Sequence, residues 1–444
     1  MVNRKKGAEK IDRPPTKTTP TGVSPVFSRT ARFRRETTRQ LLDHFFLWGY
    51  REIILPSFEY LDAISPGLPP ALLTKLYLMQ DRGSGQVLVL RPDATAQIAR
   101  LTTQSFRDRQ LPLRFCYSTS VFRDENHQAS IDRELHQTGL ELIGDPSVVS
   151  DGEILDLCLS GAAIFPLRDS LLLLSHAGLQ EAFLREISED SDRSKEIRAA
   201  FHSRNPDRLR ALLPSQGKTF LRKMADALAG GVFGVEEFRS ILAKLRPDGP
   251  PRLQEEMEGF IELLAAASAS PHASSVRVDF ALPPSSPYYT GMFFQLFAPD
   301  SSTHLASGGR YDRLGQAFGH DLPAVGFAYH ITHIEETLRK REAPGETPTL
   351  VLACHAPGNP SPVQSFARTL RRAGRAVMTA PDPSSDSGLP LSAKGILADH
   401  EDIAAVVLYD SGNDLWTLTG RSKDHRTARS IEEIAGFLLS GDFA

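Results

Sequence analysis

Apolar and polar positions along the chain follow two periods, one typical of helices and the other typical of strands. From residue 30 to 48 the apolar side chains recur every three or four positions, which predicts an amphipathic helix that ends at Gly49. A second helix is predicted from about 150 to 165, with Ser150 and Glu153 at the spacing of a capping box. Alternating or continuous apolar runs predict strands at 52–55, 75–80, 87–90, 113–122 and 133–143.

The remainder of the chain divides into two further regions. From about residue 179 to 267 the pattern is helical and is interrupted by glycine and proline, which predicts a helical insertion. Residues 348–444 then alternate between strand and helix patterns, with one helix expected at 392–400, and predict a small α/β domain. Between these regions strand patterns resume at 276–280, 292–297 and 304–307.

Composition and charge favour an ordinary globular protein of the cytoplasm. The chain has 41% hydrophobic and 24% charged residues and a formal net charge of −3. Its three cysteines are far apart and form no CxxC pair, so we predict no disulfide, no metal site and no cofactor. The apolar runs are too short to span a bilayer, and the basic N-terminus lacks the apolar core of a signal peptide. Residues 1–25 are rich in Lys, Arg, Thr and Pro and predict a disordered basic tail.

The strongest chemical signal lies in the two strands predicted at 113–122 and 133–143. Arg123 follows the first strand, and Gln137, Gly139 and Glu141 are two positions apart in the second, so they share one face. A cation, an amide and a carboxylate that converge on one pocket would suit a zwitterion with a further polar group, which means an amino acid. From the residues alone, a solvated outer face of an antiparallel sheet is an equally good interpretation.

The same segment resembles motif 2 of class II aminoacyl-tRNA synthetases, and most closely that of the histidyl branch. Further segments resemble the family in the expected order: 49–56 resembles motif 1, which builds the dimer interface, and 90–95 resembles the turn whose acid binds the substrate amine. Residues 288–291, 308–312 and 323–327 resemble the histidine-specific loop and the approach to motif 3. The resemblance implies an α+β fold, with an antiparallel sheet and flanking helices over 26–340 and a shortened anticodon-binding domain at 348–444.

The resemblance also implies a histidine pocket. In the family the acid binds the amine, the motif 2 arginine contacts the carboxylate, and the glutamine and glutamate of the return strand grip the histidine. Carried over to this sequence, the amine falls to Asp93 or Glu141, the imidazole to Gln137 and Tyr289, and the carboxylate to Arg123. The implied pocket residues are Asp93, Thr95, Arg123, Gln137, Glu141, Tyr289 and Tyr311.

The positions that handle ATP in the family differ here. Pro284 stands where the family has an arginine that stabilises charge during adenylation, and His333 stands where an arginine grips the γ-phosphate. His330 replaces a glycine, and Ser130-Ile131 replaces a Gly-Arg pair. Loss of a preorganised cation at developing phosphate charge typically costs several kcal/mol of barrier. The sequence therefore predicts a histidine site without adenylation chemistry.

This combination resembles the regulatory subunits of ATP phosphoribosyltransferase, which are paralogues of histidyl-tRNA synthetases. The resemblance implies a non-catalytic subunit that assembles with the short-form catalytic subunit, self-associates as a dimer and mediates histidine feedback. It implies no tRNA binding, in line with a C-terminal region of nine basic and twelve acidic residues over 346–444. Two alternatives remain open at this point, a divergent active histidyl-tRNA synthetase and a stand-alone histidine-binding module.

Overall fold

The computed structural model divides into two compact units, 1–341 and 342–444. The structure describes residues 19–106, 109–124, 132–167, 169–187, 191–213, 219–228, 231–299, 301–341, 350–355, 360–381, 397, 403–421 and 425–440. Most of the predicted tail at 1–25 and of the predicted helix at 392–400 lies outside these ranges. In the described part of the chain no helix combines the length and the apolarity needed to cross a membrane.

The first unit is built on a large mixed sheet. Across its described residues the strand order is β1-β5-β6-β12-β11-β10-β7-β9-β8. β1–β5 and β7–β9 are parallel pairs and the other neighbours are antiparallel. The strands are β1 Arg51–Glu52, β5 Leu113–Phe122, β6 Glu134–Ile143, β7 Leu171–His176, β8 Phe233–Gly234, β9 Val276–Val278, β10 Met292–Phe297, β11 Ala306–Arg310 and β12 Ala324–His330.

Helices cover this sheet because each presents an apolar face to it. In the first helix, Leu41 and Phe45 are fully buried, and the Phe45 ring packs edge-on against Phe327 of β12 at 5.9 Å between centroids. A separate small sheet, β2-β4-β3, lies beside the start of the fourth helix and is made of Phe58–Tyr60, Val87–Leu90 and Leu78–Gln80. The helices outside the insertion are α1 Ser28–Leu47, α2 Leu61–Ile64, α3 Pro70–Leu73, α4 Ala94–Ser105, α5 Val148–Ala162 and α12 Ile331–Lys340.

The predicted insertion is helical in the structure. Phe183 and Phe201 from two of its helices meet Phe280, which follows β9, in one cluster with ring centroids 5.1–5.8 Å apart. This cluster is continuous with the core beneath the large sheet. The helices of this region are α6 Ala177–Ile187, α7 Ser191–His202, α8 Pro206–Leu212, α9 Thr219–Leu228, α10 Val235–Leu245 and α11 Pro251–Ala269.

The second unit has the α/β character that the sequence predicts. Its five described strands have the order β14-β13-β15-β16-β17, with β13 parallel to both of its neighbours and the remaining pairs antiparallel. The apolar faces of its helices bury Phe366 and Ile434 against the sheet and its Trp416. The elements are β13 Leu350–His355, α13 Ser361–Arg372, β14 Val377–Pro381, β15 Ile403–Asp410, β16 Leu415–Gly420, β17 His425–Ala428 and α14 Ile431–Leu439.

The structure confirms the α+β fold and corrects two local predictions. Helix α5 begins two residues earlier than predicted, and its N-cap is Ser147, whose hydroxyl accepts from the Ser150 backbone N–H. The capping box proposed for Ser150 and Glu153 is therefore wrong, and the Glu153 carboxylate instead accepts hydrogen bonds from Arg114 and Tyr50. The apolar run at 171–174 belongs to β7, a central strand that the sequence pattern did not predict.

Candidate ligand-binding site

A cavity of about 300 Å³ opens over the face of the large sheet where β6, β11 and β12 run side by side. This volume lies at the lower end of the roughly 300–1,000 Å³ range of ligand pockets. The start of α4 and the loop at 285–289 form further walls. All seven residues predicted for the pocket line this cavity: Asp93, Thr95, Arg123, Gln137, Glu141, Tyr289 and Tyr311.

Strand β6 supplies the floor of the cavity through its alternation. Gln137 and Glu141 both point to the cavity because residues four apart in a strand share a face. Gly139 lies between them on that face, where a Cβ would meet the Phe327 carbonyl oxygen at 2.5 Å and the Tyr117 hydroxyl at 2.8 Å. Glycine is required here, because the Phe327 carbonyl oxygen and the Tyr117 hydroxyl occupy the space that a Cβ would take.

Glu141 is buried and is held by two hydroxyl groups. Thr95 Oγ1 donates to its carboxylate at 2.7 Å, and the Tyr311 hydroxyl donates to the other carboxylate oxygen. Burial raises the pKa of Glu141 to about 8, although both hydroxyl donors favour the charged form. The floor of the cavity therefore carries a carboxyl group that exchanges its proton near neutral pH.

An ion pair spans the entrance side of the cavity. Arg123 follows the end of β5, and its guanidinium lies 3.6 Å from the carboxylate of Asp93 while its Nε donates to the Pro92 carbonyl at 2.9 Å. Asp93 is also the N-cap of α4 and accepts from the Ala96 backbone N–H at 2.9 Å. The sequence placed these two residues in one pocket, and the cap and the backbone contact fix where each of them lies.

Tyr289 forms an aromatic wall. Its ring stacks on Phe293 with centroids 5.7 Å apart and planes 5° from parallel, and its hydroxyl lies 3.5 Å from Ser285 Oγ. Burial raises the pKa of the Tyr289 hydroxyl above its usual value, so the group stays protonated and available as a donor. A flat, polar-tipped wall of this kind suits a small heteroaromatic ring.

Several residues that line the cavity were not predicted as site residues. The most connected is His330, whose Nδ1 lies 3.0 Å from Gln137 Nε2 and whose Nε2 lies 3.0 Å from Ser307 Oγ. His304 packs its ring against His330 at 4.9 Å between centroids. The pattern along one strand could not reveal these contacts, because β6 and β12 bring together positions 193 residues apart.

Of the positions where the sequence differs from the ATP-handling residues of the resemblance, His333 has a structural role of its own. His333 lies in the first turn of α12 and its Nδ1 is 3.1 Å from the His304 carbonyl oxygen, which ties the ring to the backbone. Pro284 immediately precedes the loop that lines the cavity at Ser285 and Ser286. Ser130 and Ile131 lie outside the described residues. Within the described ranges, no group of three or more His, Cys, Asp or Glu side chains is arranged to hold a metal ion.

Comparisons with known proteins agree with this architecture. The family model described as "Histidyl-tRNA synthetase" matches residues 22–334. A solved structure from Bacillus halodurans, titled an ATP phosphoribosyltransferase regulatory subunit/histidyl-tRNA synthetase, is similar over 90% of this chain and 99% of its own, with a TM-score of 0.73 and 24% identity. A histidyl-tRNA synthetase from Nostoc has the same fold, with a TM-score of 0.73 at 16% identity over 95% of this chain and 99% of its own.

Similar sequences narrow the family further. The ATP phosphoribosyltransferase regulatory subunit of Moorella thermoacetica is 34% identical over 314 residues, which are 70% of this chain and 79% of that protein. The regulatory subunit of Symbiobacterium thermophilum is 31% identical over 371 residues, or 83% of this chain and 92% of its own length. Extended similarity of this kind, on a histidyl-tRNA synthetase-like fold, shows that the chain belongs to the family of ATP phosphoribosyltransferase regulatory subunits.

Proposed function

We propose that this protein is the histidine-sensing regulatory subunit of ATP phosphoribosyltransferase, the enzyme of the first step of histidine biosynthesis. In this proposal it assembles with the short-form catalytic subunit, which joins ATP to phosphoribosyl pyrophosphate, and is needed for full activity. The observation that carries the proposal is the convergence of the seven predicted pocket side chains on one cavity in a chain of the regulatory family. The chain itself performs no catalysis.

The charges of the cavity suit an α-amino acid. Asp93 provides a carboxylate for the ammonium group, and Arg123 provides a guanidinium for the carboxylate. Gln137 and Tyr289 offer an amide and a hydroxyl to the polar atoms of an imidazole ring. Thr95 and Tyr311 hold the Glu141 carboxyl group in place beneath the ligand, so they act by orienting it.

The alternative of an active histidyl-tRNA synthetase requires cations that the chain lacks at the relevant positions. Pro284 and His333 replace the expected arginines, and the His333 ring makes a hydrogen bond to the His304 backbone. The region 346–444 has nine basic and twelve acidic residues, a net of 9 − 12 = −3, which does not favour binding to tRNA phosphates. Histidine-dependent exchange of pyrophosphate into ATP by the purified protein should therefore stay at background, and a clear rate would contradict the regulatory assignment.

Self-association through the motif 1 region completes the proposal. Phe46, Leu47 and Trp48 at the end of α1 and Ile54 after β1 all expose apolar side chains. The nearby small sheet exposes Phe58, and apolar residues clustered in this way mark interaction surfaces. A two-fold dimer, the commonest form of soluble oligomer, would cover these side chains.

The deciding experiment is reconstitution with the short-form catalytic subunit. Formation of phosphoribosyl-ATP is measured across a histidine series for complexes that contain the parent chain or Arg123→Ala. The variant should need about tenfold more histidine for half-inhibition, because loss of a charge-assisted hydrogen bond costs roughly 1.5–3 kcal/mol. Because histidine binding and inhibition are thermodynamically linked, weaker binding at the pocket shifts the inhibition curve to higher histidine concentrations.

Each complex is normalised to its own rate without histidine, and Arg39→Ala is the control. Arg39 pairs with Glu36 and Asp43 on the exposed face of α1, away from the cavity. Coincident inhibition curves for the parent and Arg123→Ala would show that feedback does not act through this cavity. Absence of any effect of the chain on the catalytic subunit would favour a stand-alone histidine-binding module.

A further inference from the structure

His330 and Gln137 are direct cross-strand partners, and their side chains meet at the cavity wall. They are opposite each other in the register of β6 and β12, and both are buried. Gln137 Nε2 lies 3.0 Å from His330 Nδ1, and His330 Nε2 lies 3.0 Å from Ser307 Oγ. All three residues line the cavity. The amide of Gln137 is therefore one end of a hydrogen-bonded chain, and the middle of that chain is an imidazole.

The His330 imidazole in the middle of these hydrogen bonds is neutral. Burial lowers the pKa of His330 well below its usual value, and the neighbouring rings of His304 and His333 act in the same direction. A neutral imidazole has one N–H donor and one acceptor nitrogen. Because the amide nitrogen of Gln137 is a donor, Nδ1 accepts from it, and the proton of the ring is on Nε2 and points to Ser307.

This arrangement determines which atom of Gln137 a ligand meets. With Nε2 committed to His330, the Oε1 atom makes no hydrogen bond to protein within the described part of the chain. We infer that His330 is a positioning residue, which holds the Gln137 amide so that its oxygen accepts a hydrogen bond from an N–H group of the ligand. The inference rests on the proposed histidine-binding function and adds to it which partner donates and which accepts in one hydrogen bond to the ligand.

Two N–H groups of histidine can fill this role, the α-ammonium and the imidazole N–H. Imidazolepropionate lacks the first, and Nτ-methylhistidine and Nπ-methylhistidine each lack a ring N–H. Calorimetric titration of the full-length protein with histidine and these three probes identifies the donor. The parent should bind histidine about tenfold more tightly than the probe that lacks the relevant N–H, since an unmade hydrogen bond leaves Oε1 unpaired.

The variants separate positioning from simple loss of structure. In His330→Leu the Gln137 amide loses its partner, so the preference for histidine over the critical probe should fall. In His330→Asn the side-chain oxygen replaces Nδ1 as acceptor, and the preference should return. Ser307→Ala removes the acceptor of the Nε2 proton together with the contact of Ser307 with Tyr289, and it leaves His330 and Gln137 in place. It is a smaller change than His330→Leu and protects the test against misfolding, and the preference should fall partially. In protein labelled with nitrogen-15 at its histidine residues, the signal of His330 is the one that disappears in His330→Asn. This signal should show the Nε2–H tautomer.

Each failure has a distinct meaning. A parent that binds no histidine overturns the proposed function and this inference with it. A parent that binds histidine, with preferences unchanged in both His330→Leu and Ser307→Ala, overturns the positioning role alone. If His330→Leu weakens the binding of every ligand equally, the residue only supports the fold. If His330 is the Nδ1–H tautomer, Gln137 presents its nitrogen to the ligand instead.

Discussion

Glu141 links the acidity of a single residue to the stability of the fold. The folded protein binds the proton of this carboxyl group up to a pKa of about 8, whereas the unfolded chain releases it near 4.5. Between these values the folded state holds more protons than the unfolded state, so its stability falls as the pH rises. The contribution of the group is fully present below about pH 4.5 and is lost as the pH passes about 8.

We expect the free energy of unfolding of the ligand-free protein to fall between pH 6.5 and 8, and to fall less in Glu141→Gln. Denaturant titrations at several pH values measure it. Asp151, His136 and His304 act below this window, since burial raises the pKa of Asp151 to about 6 and lowers those of the two histidines to about 4. Identical slopes for the parent and the variant across this window would show that Glu141 is ionised in the folded protein.

At the scale of single residues, the sequence predicts well which face of a strand a side chain occupies. It predicts contacts between strands poorly. The period of two predicts Gln137 and Glu141 on one face, and in the structure both line the cavity, as does Arg123 beyond the end of β5. The resemblance added Asp93 and Tyr289. His330 and Ser307 were missed as site residues because their relation to Gln137 depends on strand order and register, which are nonlocal.

The pairing of β6 with β12 depends on a glycine opposite Glu141. Gly326 is the cross-strand partner of Glu141, and a Cβ there would overlap the Glu141 carboxylate and the Leu140 carbonyl oxygen. Gly326→Ala should therefore displace Glu141, lower stability by about 1–3 kcal/mol and reduce histidine affinity. Chemical denaturation and calorimetric titration test both effects.

A matched glycine provides the control for this substitution. Gly259 lies on α11, where a Cβ would meet nothing within 4 Å, so Gly259→Ala should stabilise the protein by about 0.5–1 kcal/mol. Unchanged histidine binding in Gly326→Ala would mean that the strands separate without moving Glu141, and that the close packing of β6 on β12 does not define the cavity.

Strand β11 is joined to the start of α5 by a buried ion pair. Arg310 lies 2.7 Å from the Asp151 carboxylate, and it donates to Ser150 Oγ at 2.8 Å and to the carbonyl oxygens of Asp145 and Ser147. Arg310→Leu should destabilise the protein by about 3–5 kcal/mol, because it leaves a buried carboxylate unpaired. Urea unfolding measures this, and Arg39→Leu, which breaks only exposed pairs, should cost less than about 1 kcal/mol. A loss for Arg310→Leu no larger than for the control would contradict the role of the pair.

Elements with a clear period were predicted more accurately than short central strands. The structure places α1, β5 and β6 within two residues of their predicted bounds. Strand β7 was missed because its run of leucines is buried between two neighbouring strands and lacks alternation, so a short apolar run does not distinguish a strand from a helix. The start of α5 was misplaced because Ser147 and Ser150 are both acceptable caps, and the backbone conformation selects the first.

The exposed apolar side chains near β1 bear on the assembly of the whole molecule. Leu47 and Ile54 are 82% and 89% exposed. The double variant Leu47→Glu/Ile54→Glu should convert a dimer into a monomer, because it would place like charges on both sides of a two-fold interface. Light scattering at micromolar concentration measures the mass. Val149→Glu, at a site that is 79% exposed on α5, should leave the dimer intact. A monomeric parent would contradict self-association through this surface.

Residue patterns alone predict the arrangement of the whole chain least well. Alternating strand and helix patterns predicted the small α/β domain, and the resemblance implied the α+β fold that the structure confirms. They do not specify the order of the large sheet, in which β12 lies between β6 and β11 although it is the last of the three in the chain. Such an order depends on contacts between distant segments, and neither the residue patterns nor the resemblance led to a prediction of it.

The ion pair of Arg123 and Asp93 has a consequence for the kind of molecule that the cavity admits. The two side chains neutralise each other at 3.6 Å, so any ligand must compete with an internal counterion. A dipolar ion exchanges this one pair for two, and the cavity has the same net charge before and after the exchange. A ligand with a single charge breaks the pair and leaves one partner unmatched, which is costly in a partly desolvated site. We therefore expect the pair to favour dipolar ions over ligands that carry a single charge.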